Sequence, residues 1–451
     1  MRQPQKSSMP RLIQAMVDAF RLPDLRWKLL FTLAMLVVFR FVAHIPVPGV
    51  DREALGSLFE TNALLGMLDL FSGGAMRNLS IAAMGVYPYI TASIIMQLLV
   101  PIIPQLQNLQ KEGEIGRRKL NQYTHWLTVP LAMLQGYAQL ILFQREGVLA
   151  PGTIGLGGDQ LLTTAAMVLS LTAGTMFLVW IGERITENGI GNGVSIIIFG
   201  GIVAGLPTNF GRTFLEGTTA AEGIFSIVKL VILLLAIAFF IVWVTEGVRR
   251  IPVQYSRSLF RGGKMYRQSG GTHIPLRVNS AGMIPLIFAY ALLMLPATVA
   301  SYFIASKLSW VSTGAHWVDT LFNTQGYPYW GFLFLLVIGF TFFYTMVIFQ
   351  QQNLAETLQK QGGFIPGIRP GRPTADYLNK LVVRITCGGA LFLALVAVAP
   401  IISRWLVGSA ASSTLMLISA AGLLIVVGVV LDTMRQIEAQ LLMRHYEGFI
   451  K

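Results

Sequence analysis

The sequence predicts an all-α polytopic membrane protein, and three observations carry that expectation. Hydrophobic residues make up 54% of the 451 and charged residues only 12%, about half the roughly 25% typical of soluble domains, with a mean hydropathy of +0.62. Windows of about 20 residues, the length a helix needs to cross a bilayer core, pick out ten apolar runs. Lys and Arg are distributed unevenly among the segments joining those runs, which is how a multi-span chain sets its orientation.

The ten spans lie at about 27–45, 81–103, 124–144, 161–182, 191–207, 224–246, 280–300, 328–350, 382–402 and 412–432. The fifth, GNGVSIIIFGGIVAGLP, is short and rich in glycine, so helix propensity alone leaves it marginal. An even number of spans puts both termini on one side. Of the 34 basic residues, 26 lie on that side and 6 on the other, which makes it the cytoplasm. Most of the +13 net charge therefore faces the cytoplasm and is mostly the positive-inside signal. Trp27, Trp180, Trp243 and Trp330 fall near span ends, where aromatic rings anchor at the interface. No cleavable signal peptide is expected, because MRQPQKSSMPRLIQAMVDAFRLPDLRWK is polar and weakly amphipathic ahead of the first apolar run. Cys387, the single cysteine, excludes an internal disulfide and a cysteine-cluster metal site, and lies in an apolar run as a small buried hydrophobe would.

Between the first two spans the pattern breaks. Leu64 to Phe71 is apolar but far too short to cross a bilayer, and Gly73 and Gly74, lacking a Cβ, let the chain turn before the full-length run from Ile81 to Ile103. Non-helical backbone at membrane depth is tolerated only where protein buries it or where it lines a water-filled cavity, so this stretch points to a pore or cavity.

Two segments on the cytoplasmic side are long. Residues 247–278 hold seven basic residues and no acidic one, and residues 351–384 contain GGFIPGIRPGRPTADYLNK, with Arg369 and Arg372 on Gly/Pro turns that expose them. Loops beyond about 12 to 15 residues are uncommon unless functional or disordered, so both are read as a basic docking surface for a large cytoplasmic partner. Nucleic acid is a candidate component of that partner, although Phe260 and Tyr266 are too few for a stacking platform.

What the spans lack is equally informative. None holds an Asp or Glu in its interior, where such groups mark proton and ion relays in driven transporters; Glu183, Glu246 and Asp432 sit at span ends on the cytoplasmic side. Arg40 and Lys229 are the interior charges, read as snorkelling or paired with backbone or lipid groups. His44, His125, His273, His316 and His445 share no metal-ligand spacing and are read as isolated. Walker A, HExxH and GxSxG motifs are absent, so neither a cofactor, a metal nor a hydrolytic centre is expected and any energy must come from a partner. A secondary transporter is disfavoured by the missing carboxylates, and a membrane enzyme by the lack of converging reactive groups. Val86 with Ile90, and Val194 with Ile198, stand at i, i+4 on one helical face each. Such faces are by default lipid contact or core, but an apolar constriction also gates a pore by dewetting.

Eight stretches in order resemble the SecY family, the central subunits of the Sec protein-translocation channel. They are IPVPGVD (Ile45 to Asp51), LFSGGA (Leu70 to Ala75), YPYITASIIMQLL (Tyr87 to Leu99), KEGEIGRRK (Lys111 to Lys119), ITENGIGNGVSIIIF (Ile185 to Phe199), RRIPVQY (Arg249 to Tyr255), THIPLRVNSAGMIP (Thr272 to Pro285) and GFIPGIRPG (Gly363 to Gly371). The resemblance implies an hourglass pore between two pseudo-symmetric inverted halves of five helices, at 27–207 and 208–432, flanked by a cytoplasmic N-terminus at 1–26 and tail at 433–451.

It also implies roles for residues. A short plug helix, about 64–75, would comprise Leu64, Leu65, Met67, Leu68, Leu70, Phe71, Gly73 and Gly74. An aliphatic pore ring would be formed by Val86, Ile90, Val194, Ile198, Ile284 and Ile425, with Leu424 an alternative to the last. Thr91 and Gln135 would be polar members of a lateral gate into membrane lipid. Arg369, backed by Arg249, Arg250 and Lys264, would dock the SecA ATPase or a ribosome. SecE and SecG would complete the complex, signal sequences and unfolded preproteins would be the cargo, and a bacterial cytoplasmic membrane the location.

Overall fold

The architecture is that of a computed structural model, which describes residues 22–47, 72–145, 147–150, 152–155, 157–215, 220–261, 264–303, 309–322, 326–407 and 420–447, together with residues 20, 55 and 69. Each expected span meets a helix: α1 (Pro23–Val42), α2 (Tyr87–Leu99), α4 (Glu114–Arg145), α5 (Asp159–Asn188), α6 (Gly193–Leu215), α7 (Ala220–Thr245), α8 (Ile284–Phe303), α10 (Tyr327–Gln352), α12 (Arg372–Val407) and α13 (Ala420–Glu447). Shorter pieces are α3 (Pro104–Lys111), α9 (Ser309–Phe322) and α11 (Leu354–Lys360).

By length and composition, four helices among the described residues are able to cross a membrane, or five if the bent pair α2 and α3, turned by 99°, counts as one span. At the second expected span the difference is local. Apolar residues continue from Ile81 through Val86, but these six form turns and α2 starts only at Tyr87, with Pro88 in its first turn. Pro207 and Pro296 lie inside α6 and α8, which continue past them.

The reading of the two long basic segments as loops needs a correction. Residues read as loops form a three-stranded antiparallel sheet ordered β2-β1-β3, with β1 at Val248–Arg261, β2 at Lys264–Arg277 and β3 at Gly363–Phe364. Its signal was a period of two: Ile251 and Val253 are buried while Pro252 and Gln254 are exposed.

Two compact units divide the chain. The first comprises Met1–Ile227, Met294–Gly326 and Met416–Lys451. Within it a buried cluster including Val47, Met76, Leu79, Met84, Leu140, Phe143 and Leu171 joins the turn segment to α4 and α5. Glycine in the fifth span is explained by close approach: a Cβ on Gly193 would overlap the Gly182 carbonyl of α5, and one on Gly200 would come within 2.8 Å of the Leu36 side chain of α1.

The second unit comprises Val228–Leu293 and Tyr327–Leu415. There α10 packs along α12, the Phe288 ring stands edge-on to Phe340 and Tyr344, and the Tyr290 hydroxyl donates to the Ala397 carbonyl at 3.4 Å. Cys387 is exposed on α12 rather than buried, and Trp330 is buried edge-on against Tyr329, not presented at an interface.

Candidate functional site

The irregular stretch after Gly73 is held by backbone hydrogen bonds to neighbouring protein. Pro46 and Ser80 form an antiparallel bridge, flanked by Ile81 N–H to the Ile45 carbonyl at 3.0 Å and Val47 N–H to the Leu79 carbonyl at 2.9 Å. Leu79, Ala82, Ala83 and Val86 are fully buried. Burial of satisfied backbone is the condition under which a membrane protein keeps non-helical chain at depth. Leu64, Leu65, Met67, Leu68, Leu70 and Phe71 lie outside the described residues. Gly73 and Gly74 both take positive φ, +71° and +82°, the turn expected of them.

Asp69, which the sequence reading passed over, organises this turn. Its Oδ2 pairs with Arg77 Nε at 2.9 Å, and its Oδ1 accepts from the Arg77 backbone N–H at 3.2 Å. The Asp69 carbonyl accepts from Gly74 N–H at 2.9 Å and from the Ser72 hydroxyl at 3.0 Å, while Ser72 Oγ accepts from Met76 N–H at 3.1 Å. Arg40 is paired with backbone, one of the alternatives expected: its Nη1 donates to the Gly73 carbonyl at 2.7 Å. The available signal was a lone carboxylate within LLGMLDLFSGGAMR, eight residues before an arginine.

Of the six ring residues, Val86, Ile90, Ile198 and Ile425 are buried within the chain, and Val194 and Ile284 half-buried. Val86 caps α2 and accepts the Ile90 N–H at 3.0 Å. Val194 and Ile198 occupy the first turns of α6, against which α13, bearing Ile425, packs in the same unit. Ile284 opens α8 in the other unit. Leu424 is as buried as Ile425.

The two gate residues differ. Thr91 is buried and its hydroxyl donates to the Tyr87 carbonyl at 3.1 Å, so its own helix satisfies it. Gln135 Oε1 and, one turn on, Gln139 Nε2 are buried without a hydrogen-bond partner, an arrangement that costs about 1 to 3 kcal/mol per group. Nearby, His125 is not isolated as expected. Its Nε2 lies 2.8 Å from Glu183 Oε1, which also accepts from Asn121 Nδ2 at 2.9 Å, and the Tyr89 ring stands edge-on to the imidazole.

On the sheet, Arg249 and Arg250 are exposed on β1, and Lys264 begins β2 opposite Arg261. Arg369 is exposed between Gly367 and Gly371, both at positive φ, and its carbonyl accepts from the Thr374 hydroxyl at 2.8 Å. Residues 363 and 364 pair with Tyr255 and Gln254, which ties the two basic segments together. The sheet rests on Leu358, Ile365, Leu378, Leu381 and Val382. A hydrogen bond from Lys360 at 2.8 Å, reinforced by its charge, holds the Glu356 carboxyl below the usual carboxylate range.

A model of the SecY family matches residues 80–434. The chain is 44% identical over 446 residues to the protein translocase subunit SecY of Halalkalibacterium halodurans, covering 98% of this chain and all of that protein. It is 41% identical to that of Thermotoga maritima, covering 97% and 98%. Its fold is similar to a solved structure of a SecY protein whose plug domain stabilises the closed channel, with a TM-score of 0.60, 16% identity and coverage of 96% and 97%. A second structure, of a protein-conducting channel, gives 0.55 at the same identity and coverage. A chain matched by this family model over most of its length, and by bacterial translocase subunits over nearly all of it, belongs to the SecY family.

Proposed function

We propose that the chain is a passive, gated polypeptide channel whose ten spans form two inverted halves around an hourglass pore, with both termini in the cytoplasm. As a SecY family member it is a protein-conducting channel rather than an enzyme, and a multi-pass protein of a bacterial inner membrane. The observation that supports the gating reading is the largely buried turn segment from Ser72 to Val86, held by backbone hydrogen bonds, an interruption that an ordinary bundle of spans does not need.

In this reading residues 64–75 are the plug, and Val86, Ile90, Val194, Ile198, Ile284 and Ile425 close around it. An aliphatic ring excludes water when empty and offers no hydrogen bond to hold a passing chain. A signal sequence or transmembrane segment displaces the plug and leaves past Thr91 and Gln135 into lipid, because burial of its apolar surface is favourable by about 0.8 kcal/mol per CH₂. SecA or a ribosome docks on Arg369, Arg249, Arg250 and Lys264 and supplies the energy, and SecE and SecG complete the complex. The exposure of Arg249, Arg250 and Arg369 on one sheet-tethered surface supports this role. Reconstituting the complex with and without SecA and ATP, and scoring protection of an unfolded preprotein from protease, is the test. Protection that does not depend on SecA and ATP, or no protection at all, would sink the channel reading.

A further inference from the structure

We propose that Arg40 is a positioning residue for channel closure. Its guanidinium, together with the contact of Gly73 on Gly201, latches the re-entrant segment to α1 and α6. The inference rests on the channel reading above and adds to it a residue and a contact that hold the closed state.

Two difficulties of a membrane interior cancel in this pair. The Gly73 carbonyl lies in a turn, where no helical N–H is available, and an unpaired carbonyl at depth is costly. Arg40 sits near the end of α1, and an arginine there needs an acceptor. The 2.7 Å bond from Arg40 Nη1 to the Gly73 carbonyl joins residues 33 apart in sequence and answers both needs. Asp69, buried on the same turn, adds electrostatic attraction for Arg40 while paired with Arg77.

The opposite face of the turn is fitted by shape. Gly73 is in the left-handed region, and a Cβ there would stand 2.6 Å from Phe39 Cζ on α1 and 2.9 Å from Gly201 Cα on α6. A Cβ on Gly201 would overlap the Gly73 backbone itself. Backbone thus meets backbone on one side and a charged hydrogen bond closes the other. Both contacts are lost together when the turn moves away, which makes them specific to the seated state.

The test uses the full-length chain purified with its partner subunits and inserted in planar bilayers. Arg40→Gln, Arg40→Lys and Gly201→Ala are compared with the parent for resting ion conductance and, separately, for SecA- and ATP-driven preprotein protection. Loss of a hydrogen bond from a charged group, worth about 1.5 to 3 kcal/mol, predicts a resting conductance up about tenfold to hundredfold in Arg40→Gln. Arg40→Lys, which keeps a cationic donor, is expected to recover most of the seal. Gly201→Ala, with Arg40 intact, is expected to leak as Arg40→Gln does, and carries the test alone if Arg40→Gln fails to assemble. A resting conductance within about twofold of the parent in Gly201→Ala, or in an assembled Arg40→Gln complex, overturns the latch whether or not preprotein is transported. Absence of transport in the parent complex would overturn the channel reading instead, so the two failures are distinct.

Discussion

Removing the Arg77 side chain is expected to loosen one turn of the protein and leave the rest in place. Arg77 Nε pairs with Asp69 Oδ2 at 2.9 Å, the two side chains being 25% and 9% exposed. Breaking a fully buried pair by deleting one partner costs about 3 to 5 kcal/mol, and an exposed pair is worth at most about 1. The partial exposure of Arg77 places this pair between them. Asp69 would also keep its bonds from the Arg77 backbone N–H and the Ser72 hydroxyl. A cost of about 2 kcal/mol follows, equivalent to roughly thirtyfold in the opening equilibrium of the turn.

Hydrogen exchange measured on the Arg77→Ala complex reads this directly. The amides of Gly74, Met76, Arg77, Leu79 and Ser80 each donate within the turn and are expected to exchange about thirtyfold faster, while those of α4 and α5 do not change. Asp69→Asn keeps an acceptor for the backbone N–H but removes the charge, so combining it with Arg77→Ala should add little. Exchange within about twofold of the parent, or acceleration spread evenly over the unit, would refute the assignment of Asp69 and Arg77 as a local clamp.

Polar or glycine substitutions at Val86, Ile90 and Ile198 are expected to raise resting ion conductance in bilayers, since each removes buried aliphatic surface; unchanged conductance in all three would remove them from the ring. Gln135→Leu is expected to raise the melting temperature of the complex by removing a buried, unpartnered Oε1 worth about 1 kcal/mol or more, and a lowered melting temperature would show that the amide finds a partner. Arg369→Glu should abolish SecA-stimulated preprotein protection and leave resting conductance unaltered; full stimulation would exclude Arg369 from docking. Gly363→Ala should weaken the same stimulation through the sheet, because its Cβ would stand 2.9 Å from the Tyr255 ring, and rescue by Tyr255→Ala in the same chain would identify the clash as the cause.

Much of this protein is legible in its apolar pattern, because a lipid-facing helix must be apolar over its length and must satisfy its backbone internally. The same criterion misled at Ile81 to Val86, where residues are apolar because protein buries them, not because they are helical. The sheet was hidden by composition: seven basic residues among 247–278 outweighed the short alternation at Ile251, Val253 and Tyr255, and two-residue β3 leaves no periodic trace at all. Contacts that cross the sequence were out of reach by nature, including His125 with Glu183 and the close approach of Gly193 to Gly182.

The re-entrant stretch separates the two kinds of information. That a segment too short to span is followed by Gly73 and Gly74 and a full apolar run is written in the sequence, since hydropathy and backbone freedom are local properties. What the turn rests on was decided by tertiary structure alone. The partners of Gly73 are Arg40, 33 residues earlier, and Gly201, far later in the chain, and a hydrogen bond or a backbone contact exists only once folding has carried the groups to within a few ångströms of each other.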